Sequence, residues 1–538
     1  MTMKKWIVPM LSMTLLMPAI AGAAEPAATA VKASVNTPAA ELRAGLDYLL
    51  SEHFTLAVTA MTKAYDGTTD AAAAYKALDQ NALDMQPAIA SLYGDAGAAE
   101  FERIFRAHNQ YTDDLVKATK NKDAAAMKTA EDKVSGFVDE FGNFLGTATE
   151  GKLPAAAAKQ VIRSHEDHVQ EVFEDYAAGD YLGAYEAYRK GYAEMFGISK
   201  ALSGAIVAQM PAKFESTKAD TKAADLRSAL NQLAGEHFAL SVLQMQEQYE
   251  GRAASDALIR AEAMNTADFK AAIASIYGAE GAAAFGQIWV TNHVNAQADF
   301  VSAVKNKDAA AQAAVEARIA GFTTEFAAFL DSATAGNLPE AAGQAALTAH
   351  ENQVQQVLTQ YAAGDYTASY QTNREGYKTM FSVGQALGNA IVTQYNDKFQ
   401  EAAAPATTDP AAMTKVWMKV GSGVLNINGT VTQMDTEPFI WSGMTYIPLR
   451  YLSEGIGAEV KWDKAAQQVT ITAGSDTLVF WMNKDFMEVN GMRKSVGAKV
   501  FVNSDNRTVV PLRFITELLG WNVQWGQADH SITLTKKL

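Results

Sequence analysis

The sequence predicts two tandem all-α helical bundles followed by a small α+β domain. A unit of about 185 residues occurs twice (293 − 108 = 185; 350 − 165 = 185; 237 − 53 = 184), and apolar residues in both copies recur at helical spacing. Beyond residue 413 the pattern changes to alternation, and six of the eight tryptophans lie there. A chain of 538 residues is long enough for about three or four domains, and the repeat favours three.

Composition excludes several classes of protein. A hydrophobic content of 49% and a charged content of 20% are typical of folded globular chains. The net charge of −15 argues against nucleic acid as a partner, because such binding needs clustered Lys and Arg. With no cysteine, the chain has no disulfide, no thiolate nucleophile and no thiolate metal ligand.

Residues 1–24 are expected to be a secretory signal peptide. Lys4 and Lys5 precede an apolar run over residues 7–20, and small residues follow at 21–24. That run is too short to span a bilayer as a membrane anchor. We therefore expect a secreted protein, extracellular or associated with the cell envelope, with no transmembrane segment in the mature chain. Residues 25–38, which have no periodic pattern, are expected to be a linker.

The first bundle is predicted over residues 39–214. Six helices are expected near 40–66, 70–93, 95–119, 122–149, 155–178 and 180–212. Asp123 and Asp180 follow short turns and are expected to cap the helices that they precede. The second bundle, over 224–399, repeats these marks. Polar or Pro-rich linkers are expected at 215–223 and 400–412.

The β-rich domain is predicted over residues 413–538 and contains a repeat of its own. Each unit is a strand, the tripeptide Pro-Leu-Arg, a short helix ended by Gly457 or Gly520, and a further strand. The dipeptides Asn428-Gly429 and Asn490-Gly491 lie in alternating runs and predict hairpin turns.

These paired units resemble the copper amine oxidase N-terminal-like domain, also called the stalk domain, of bacterial secreted and surface proteins. The resemblance rests on Pro448-Leu449-Arg450 with Trp462 and on Pro511-Leu512-Arg513 with Trp525. It covers under a quarter of the chain and implies an accessory module. The catalytic core of the oxidases is not implied, since the sequence has neither an Asn-Tyr-(Asp/Glu) site nor a His-x-His copper pair.

Two groups in this domain allow alternative interpretations. Arg450 and Arg513 are expected to pair with Glu454 and Glu517 at a strand-to-helix corner, the alternative being anion contacts. The tryptophans are expected to be buried, the alternative being a sugar-stacking face; they are Trp417, Trp441, Trp481 and Trp521.

Three histidines in each bundle form a candidate metal site. In the first copy, each lies 13 or 14 residues before the turn that follows its helix, on an apolar helical face (66 − 53, 121 − 108, 179 − 165). If the three helices run parallel, the imidazoles lie at one height and could converge. The predicted ligands are His53, His108 and His165 in the first bundle and His237, His293 and His350 in the second.

Three neutral imidazoles suit Zn, Cu or another transition metal. Adjacent glutamates could act as further ligands or outer partners, namely Glu52, Glu166, Glu236 and Glu351. The alternative is that each histidine is a core residue bonded within its own surroundings. His168 has no counterpart, because Gln353 replaces it, and is expected at the surface.

Three functions follow, in order of preference. The first is a secreted, non-enzymatic protein whose stalk-like module attaches the helical bundles to cell-wall material or a surface component. The second is extracellular binding of a transition metal or haem by the three-histidine sites. An enzyme is third, since no nucleophile elbow, phosphate loop or zinc-protease helix is present.

Overall fold

The computed structural model describes residues 32–401 and most of 413–537. Gaps in the second range fall at 429, 442–443, 450, 452–457, 464–465, 474–475, 485, 496–498, 504–506, 513–520 and 527–529. The chain divides into two compact units, Met1–Ala402 and Ala403–Leu538. The expected signal peptide, most of the linker at 25–38 and most of the linker at 400–412 lie outside the described residues, as do Arg450, Arg513 and their proposed partners.

The first unit is all-α, as predicted, and contains both sequence repeats. The first repeat comprises α1 (Pro38–Asp66), α2 (Ala71–Asn121), α3 (Ala124–Ala148), α4 (Ala155–Ala178) and α5 (Tyr181–Gln209). The second comprises α6 (Lys222–Glu250), α7 (Ser255–Trp289), a π-helical turn (Val290–Val294), α8 (Asn295–Lys305), α9 (Ala309–Ala333), α10 (Glu340–Ala362) and α11 (Tyr366–Gln394), followed by the short α12 (Asn396–Phe399). No helix in the described part of the chain is long and apolar enough to cross a membrane.

The boundary expected between residues 93 and 95 is a kink within α2. Gly94 has φ 74° and ψ 174°, and helical structure continues on both sides of it. Gly278 repeats this conformation in α7, with φ 76° and ψ 179°. Only glycine adopts this region readily, since a Cβ atom is disfavoured there.

Capping residues set most of the other boundaries. Asp123 accepts hydrogen bonds from the amides of Ala125 and Ala126, and Asp180 accepts one from Gly183. Both aspartates therefore cap helices as the sequence predicted.

The two repeats pack through reciprocal ion pairs. Arg43 contacts Asp225 of the second repeat, and Arg227, at the position equivalent to Arg43, contacts Glu41 at 2.7 Å. The hydroxyls of the equivalent residues Tyr192 and Tyr377 lie 2.6 Å apart. This exchange of equivalent contacts is the pattern of a two-fold symmetric dimer, here formed within one chain.

Parts of two segments expected to be linkers pack against the helices. Val35 is buried, and its carbonyl accepts a hydrogen bond from Arg227 at 2.9 Å. Ala219 is also buried, and its carbonyl accepts one from Arg43 at 3.0 Å. Both segments thus contribute to the contact between the repeats.

The second unit consists of three antiparallel sheets. Their strand orders are β13-β14-β1-β2-β3, β10-β9-β8-β7-β6 and β11-β12-β5-β4. The strands are β1 (Met413–Lys419), β2 (Val424–Ile427), β3 (Thr430–Gln433), β4 (Phe439–Trp441), β5 (Met444–Pro448), β6 (Glu459–Asp463), β7 (Gln468–Ala473), β8 (Asp476–Trp481), β9 (Phe486–Val489), β10 (Met492–Ser495), β11 (Phe501–Val502), β12 (Thr508–Pro511), β13 (Asn522–Gly526) and β14 (Ser531–Lys537).

The internal repeat of this unit is visible in its pairing. β5 and β12, the strands that end in the two Pro-Leu units, pair antiparallel with Ile447 opposite Val510. Asn490 and Gly491 both have positive φ between β9 and β10, which confirms that hairpin turn. The helices expected to end at Gly457 and Gly520 lie largely outside the described residues.

Tryptophan burial in this unit differs from residue to residue. Trp521 is buried, as expected, and Trp417 and Trp481 are half-buried. Trp441 is 50% exposed, so the expectation of burial is wrong there; Trp462 is also 47% exposed. Trp441 and Trp462 lie on β4 and β6, each the outermost strand of its sheet among the described residues.

Candidate metal centre

The predicted histidines converge in both repeats. In the first, the ring centroids of His53 and His108 are 5.4 Å apart, and those of His165 lie 5.8 and 6.2 Å from them. One ring nitrogen from each residue lies within 4.8 Å of the others. All three are buried. The convergence that the sequence left open is therefore present.

The second repeat forms the same cluster more tightly. His237 and His293 have ring centroids 5.0 Å apart, and each lies 5.8 Å from His350. The Nε2 atoms of His237 and His293 are only 2.9 Å apart. The residue inserted between Ile288 and His293 coincides with the π-helical turn at Val290–Val294, so the helix absorbs the insertion by widening a single turn.

Aromatic rings line both clusters. His108 stacks on Phe137 at a centroid distance of 4.4 Å, and His53 contacts Phe105 at 4.6 Å. The equivalent contacts in the second repeat join His293 to Phe322 and His237 to Trp289, both at 4.7 Å. Helical spacing alone did not indicate that these aromatics line the clusters, although their recurrence beside the histidines in both copies was a usable signal. They shield the imidazoles from water on these sides.

Burial keeps most of these imidazoles neutral. It lowers the pKa of His53 and of His237 well below the ordinary value, and the neighbouring histidines lower both further. It also lowers the pKa of His350 to about 4, although Glu351 opposes the shift. A neutral imidazole has a free lone pair, which is the form that binds a metal.

Several ring nitrogens have no hydrogen-bond partner within the described part of the chain. Both nitrogens of His53 and of His350 are in this state, as is Nδ1 of His108, of His165 and of His237. An unpaired buried polar atom costs about 1–3 kcal/mol. The alternative from sequence, that each histidine bonds to its own surroundings, therefore does not describe His53 or His350, whereas metal coordination would use these nitrogens.

Of the four glutamates predicted beside the histidines, one in each repeat contacts a histidine on a neighbouring helix. Glu166 lies next to His165 in sequence, yet its carboxylate is 2.9 Å from Nε2 of His108. In the second repeat Glu351 lies 2.7 Å from Nδ1 of His293. Burial opposes ionisation of both carboxyls, but the adjacent histidines hold their pKa values below the usual range. A carboxylate beside a ligating histidine orients the ring and increases its basicity.

The other two glutamates serve the contact between repeats. Glu52 accepts a hydrogen bond from Asn81 at 2.7 Å and forms an ion pair with Arg374 of the second repeat at 2.8 Å. Glu236 has the equivalent partners, Asn265 at 2.7 Å and Arg189 of the first repeat at 3.0 Å. They are directed to these groups rather than into the clusters, because adjacent residues of a helix point about 100° apart.

His168 is half-buried rather than on the surface. Its Nδ1 lies 2.7 Å from Glu194 and 2.9 Å from the carbonyl of Ser164. The Glu194 carboxylate raises the pKa of His168 despite partial burial. The expectation of surface exposure was wrong because the absence of a counterpart in the second repeat says nothing about burial.

The fold and site define a class: a tandem-repeat helical protein with two buried three-histidine clusters, linked in sequence to an antiparallel β domain. Residues 414–534 match the family described as copper amine oxidase N-terminal domain, which confirms the resemblance seen in the sequence. The match comprises the N-terminal domain of that family and not the amine oxidase catalytic core. Neither the curated proteins nor the solved structures contain a match to this chain.

Proposed function

We propose that the protein is a secreted, non-enzymatic binder of divalent transition metal ions, with one ion site in each helical repeat. The observation that carries this proposal is the approach of three buried imidazoles, with one nitrogen from each within 4.8 Å of the others, in both repeats. Three imidazoles are a ligand set for Zn, Cu, Ni or Fe. The ring centroids are about 5–6 Å apart. This spacing leaves room for a single ion between the imidazoles but not for the plane of a haem.

Metal analysis of full-length protein purified without chelators tests the proposal. We expect about two equivalents of metal per chain after exposure to Zn²⁺ or Cu²⁺, as the two clusters require. The triple variant His53→Ala/His108→Ala/His165→Ala should retain about one equivalent, and removal of the second triad as well should leave none.

His168→Ala and His530→Ala are the matched controls, because these two histidines lie outside both clusters. They should leave the metal content unchanged. Less than about a tenth of an equivalent per repeat in the wild-type protein, and no change in the triple variant, would reject metal binding.

The β domain supports a second function, attachment to cell-wall material. Its family match is consistent with a non-catalytic attachment module, and Trp441 and Trp462 are exposed. Exposed indole rings stack well on sugars. We expect full-length protein to sediment with purified cell walls and Trp441→Ala/Trp462→Ala to weaken this, while Val431→Ala, at another exposed apolar site, should not. Equal sedimentation of all three would contradict attachment through these rings.

A further inference from the structure

The second histidine site carries polar groups that the first lacks. Glu262 on α7 is buried, and its Oε1 accepts hydrogen bonds from Ser241 at 2.8 Å and from Gln297 at 3.3 Å. The same oxygen lies 3.4 Å from Nδ1 of His237. In the first repeat the corresponding positions hold Leu78, Ala57 and Thr112. The network thus belongs to one repeat only.

Glu262 has no Lys or Arg ion-pair partner in the described part of the chain, and burial raises its pKa. A buried carboxyl without a cation is costly, so packing alone does not explain a glutamate where the other repeat has leucine. The titratable groups near it are histidines of the cluster: Nδ1 of His237 lies 3.4 Å away, and the nearby His293 opposes the rise in its pKa. The position of Glu262 therefore indicates a role at the histidine cluster.

The two ring nitrogens of His237 face different groups. Nδ1 faces Glu262, and Nε2 lies 2.9 Å from Nε2 of His293, within the cluster. His293 is arranged alike, with Nδ1 at Glu351 and Nε2 towards His237. The contact between the two Nε2 atoms is a hydrogen bond, so one of them donates a proton that a metal would displace. A carboxylate at Nδ1 favours a proton there and thereby makes Nε2 available to the metal.

The first site lacks this arrangement. His108 presents Nε2 to Glu166, and neither nitrogen of His53, the counterpart of His237, has a hydrogen-bond partner among the described residues. A metal binding there must fix the orientation of His53 at the moment of binding. In the second site, carboxylates lie 3.4 Å from Nδ1 of His237 and 2.7 Å from Nδ1 of His293.

We propose that the two sites are not equivalent: Glu262 is a positioning residue that directs Nε2 of His237 into the cluster, so that the second site binds divalent transition metal more tightly and fills first. The inference rests on the proposed metal binding. Loss of a carboxylate beside a ligating histidine typically lowers metal affinity about 10–100-fold, which is the difference expected between the sites.

Zn²⁺ affinity of full-length single-site chains tests this. His53→Ala/His108→Ala/His165→Ala leaves only the second site, and His237→Ala/His293→Ala/His350→Ala leaves only the first. We expect the second site to compete with a chromophoric chelator about 10–100-fold better. In that chain Glu262→Leu should remove the advantage, and Glu262→Gln, which keeps an acceptor oxygen, should restore part of it.

The spectrum of bound Co²⁺ separates positioning from folding, because its visible bands report the ligand geometry. Glu262→Leu should alter these bands, whereas Glu247→Gln, which removes a buried charge of the same repeat at Lys63, should change stability alone. Leu78→Glu/Ala57→Ser/Thr112→Gln should raise the affinity of the first site.

The outcomes distinguish the two proposals. Failure of both single-site chains to bind Zn²⁺ would overturn metal binding and this inference together. Equal affinities with no effect of Glu262→Leu would overturn the inference and leave metal binding intact. A loss of stability in Glu262→Leu with unchanged affinity and Co²⁺ bands would assign Glu262 a purely structural role and likewise overturn it.

Discussion

At the scale of single residues, each cluster joins buried histidines to carboxylates that lie on other helices. His53, His108 and His165 each lie on the apolar face of their own helix, which helical spacing in the sequence indicates. The contact of Glu166 with His108 joins different helices, and spacing along one helix contains no such information. Glu262 could be found in the sequence only by aligning the two copies position by position, where it corresponds to Leu78.

The same comparison identifies Asp47 as a source of instability. Asp47 is fully buried, and Asn231 occupies the equivalent position in the second repeat. Burial raises the pKa of Asp47 to about 6, although the hydroxyls of Ser199 and Ser228 and the charges of Arg43 and Arg227 oppose the shift. Folding therefore opposes ionisation of this group.

We predict that Asp47→Asn stabilises the protein at neutral pH. The folded pKa lies above the unfolded value of 3.8, so the destabilisation is absent below that pH, grows as the pH rises towards 6, and is complete above it. Two pKa units correspond to about 3 kcal/mol, the upper limit of the gain at pH 7. Urea unfolding from pH 4 to pH 8 measures this.

Asn231→Asp provides the mirror control and should lower stability with the opposite dependence on pH. An Asp47→Asn gain of the same size at pH 4 and pH 8 would contradict burial of the charge as its cause.

At the scale of elements, the helices follow from spacing and caps, whereas their continuity depends on backbone conformation. The sequence predicted a boundary at Gly94, and the structure places a kinked glycine there within a continuous α2. The position of the residue inserted before His293 was predicted from the sequence. Its π-helical conformation could not be predicted, because a loop could accommodate one extra residue equally well.

Gly94→Ala tests the role of the kink. The ideal Cβ meets nothing within 4 Å, so any cost arises from the backbone at φ 74°. Conformations of this kind cost a residue with a side chain about 1–3 kcal/mol, and we expect that loss in urea unfolding. Gly278→Ala should behave alike, since its φ is 76°.

Gly197→Ala is the matched control, because this glycine has ordinary helical geometry within α5 and also has open space at its Cβ. It should gain about 0.5–1 kcal/mol. Equal effects of Gly94→Ala and Gly197→Ala would show that the kink is not required.

At the scale of the whole molecule, the association of the repeats was the feature that the sequence left open. Two tandem bundles were predicted, and the duplication was evident, but pairs such as Arg374 with Glu52 join residues 322 positions apart. No local pattern encodes such a pair. The Tyr192 and Tyr377 hydroxyls meet for the same reason, through a symmetry that only the folded chain displays.

Lys63 and Glu247 occupy equivalent positions in the two repeats and face each other at 3.1 Å, both buried. Identical residues would place like charges together, so this pair reflects divergence of the copies. Lys63→Met leaves Glu247 and the nearby Asp70 as uncompensated buried carboxylates, since Asp70 lies 3.8 Å from the same amine. Removal of one partner of such a pair costs about 3–5 kcal/mol.

We expect Lys63→Met to lower the melting temperature of the helical unit as a whole, because both repeats contribute to the site that it disrupts. Calorimetry should show one transition for the helical unit, displaced as one, and a separate transition for the β domain that does not move. Glu247→Met added to Lys63→Met should recover part of the loss, because one uncompensated charge is removed. If the helical transition instead splits, with one part at the wild-type temperature, the repeats fold independently, and the ion pairs between them orient two bundles without coupling their stability.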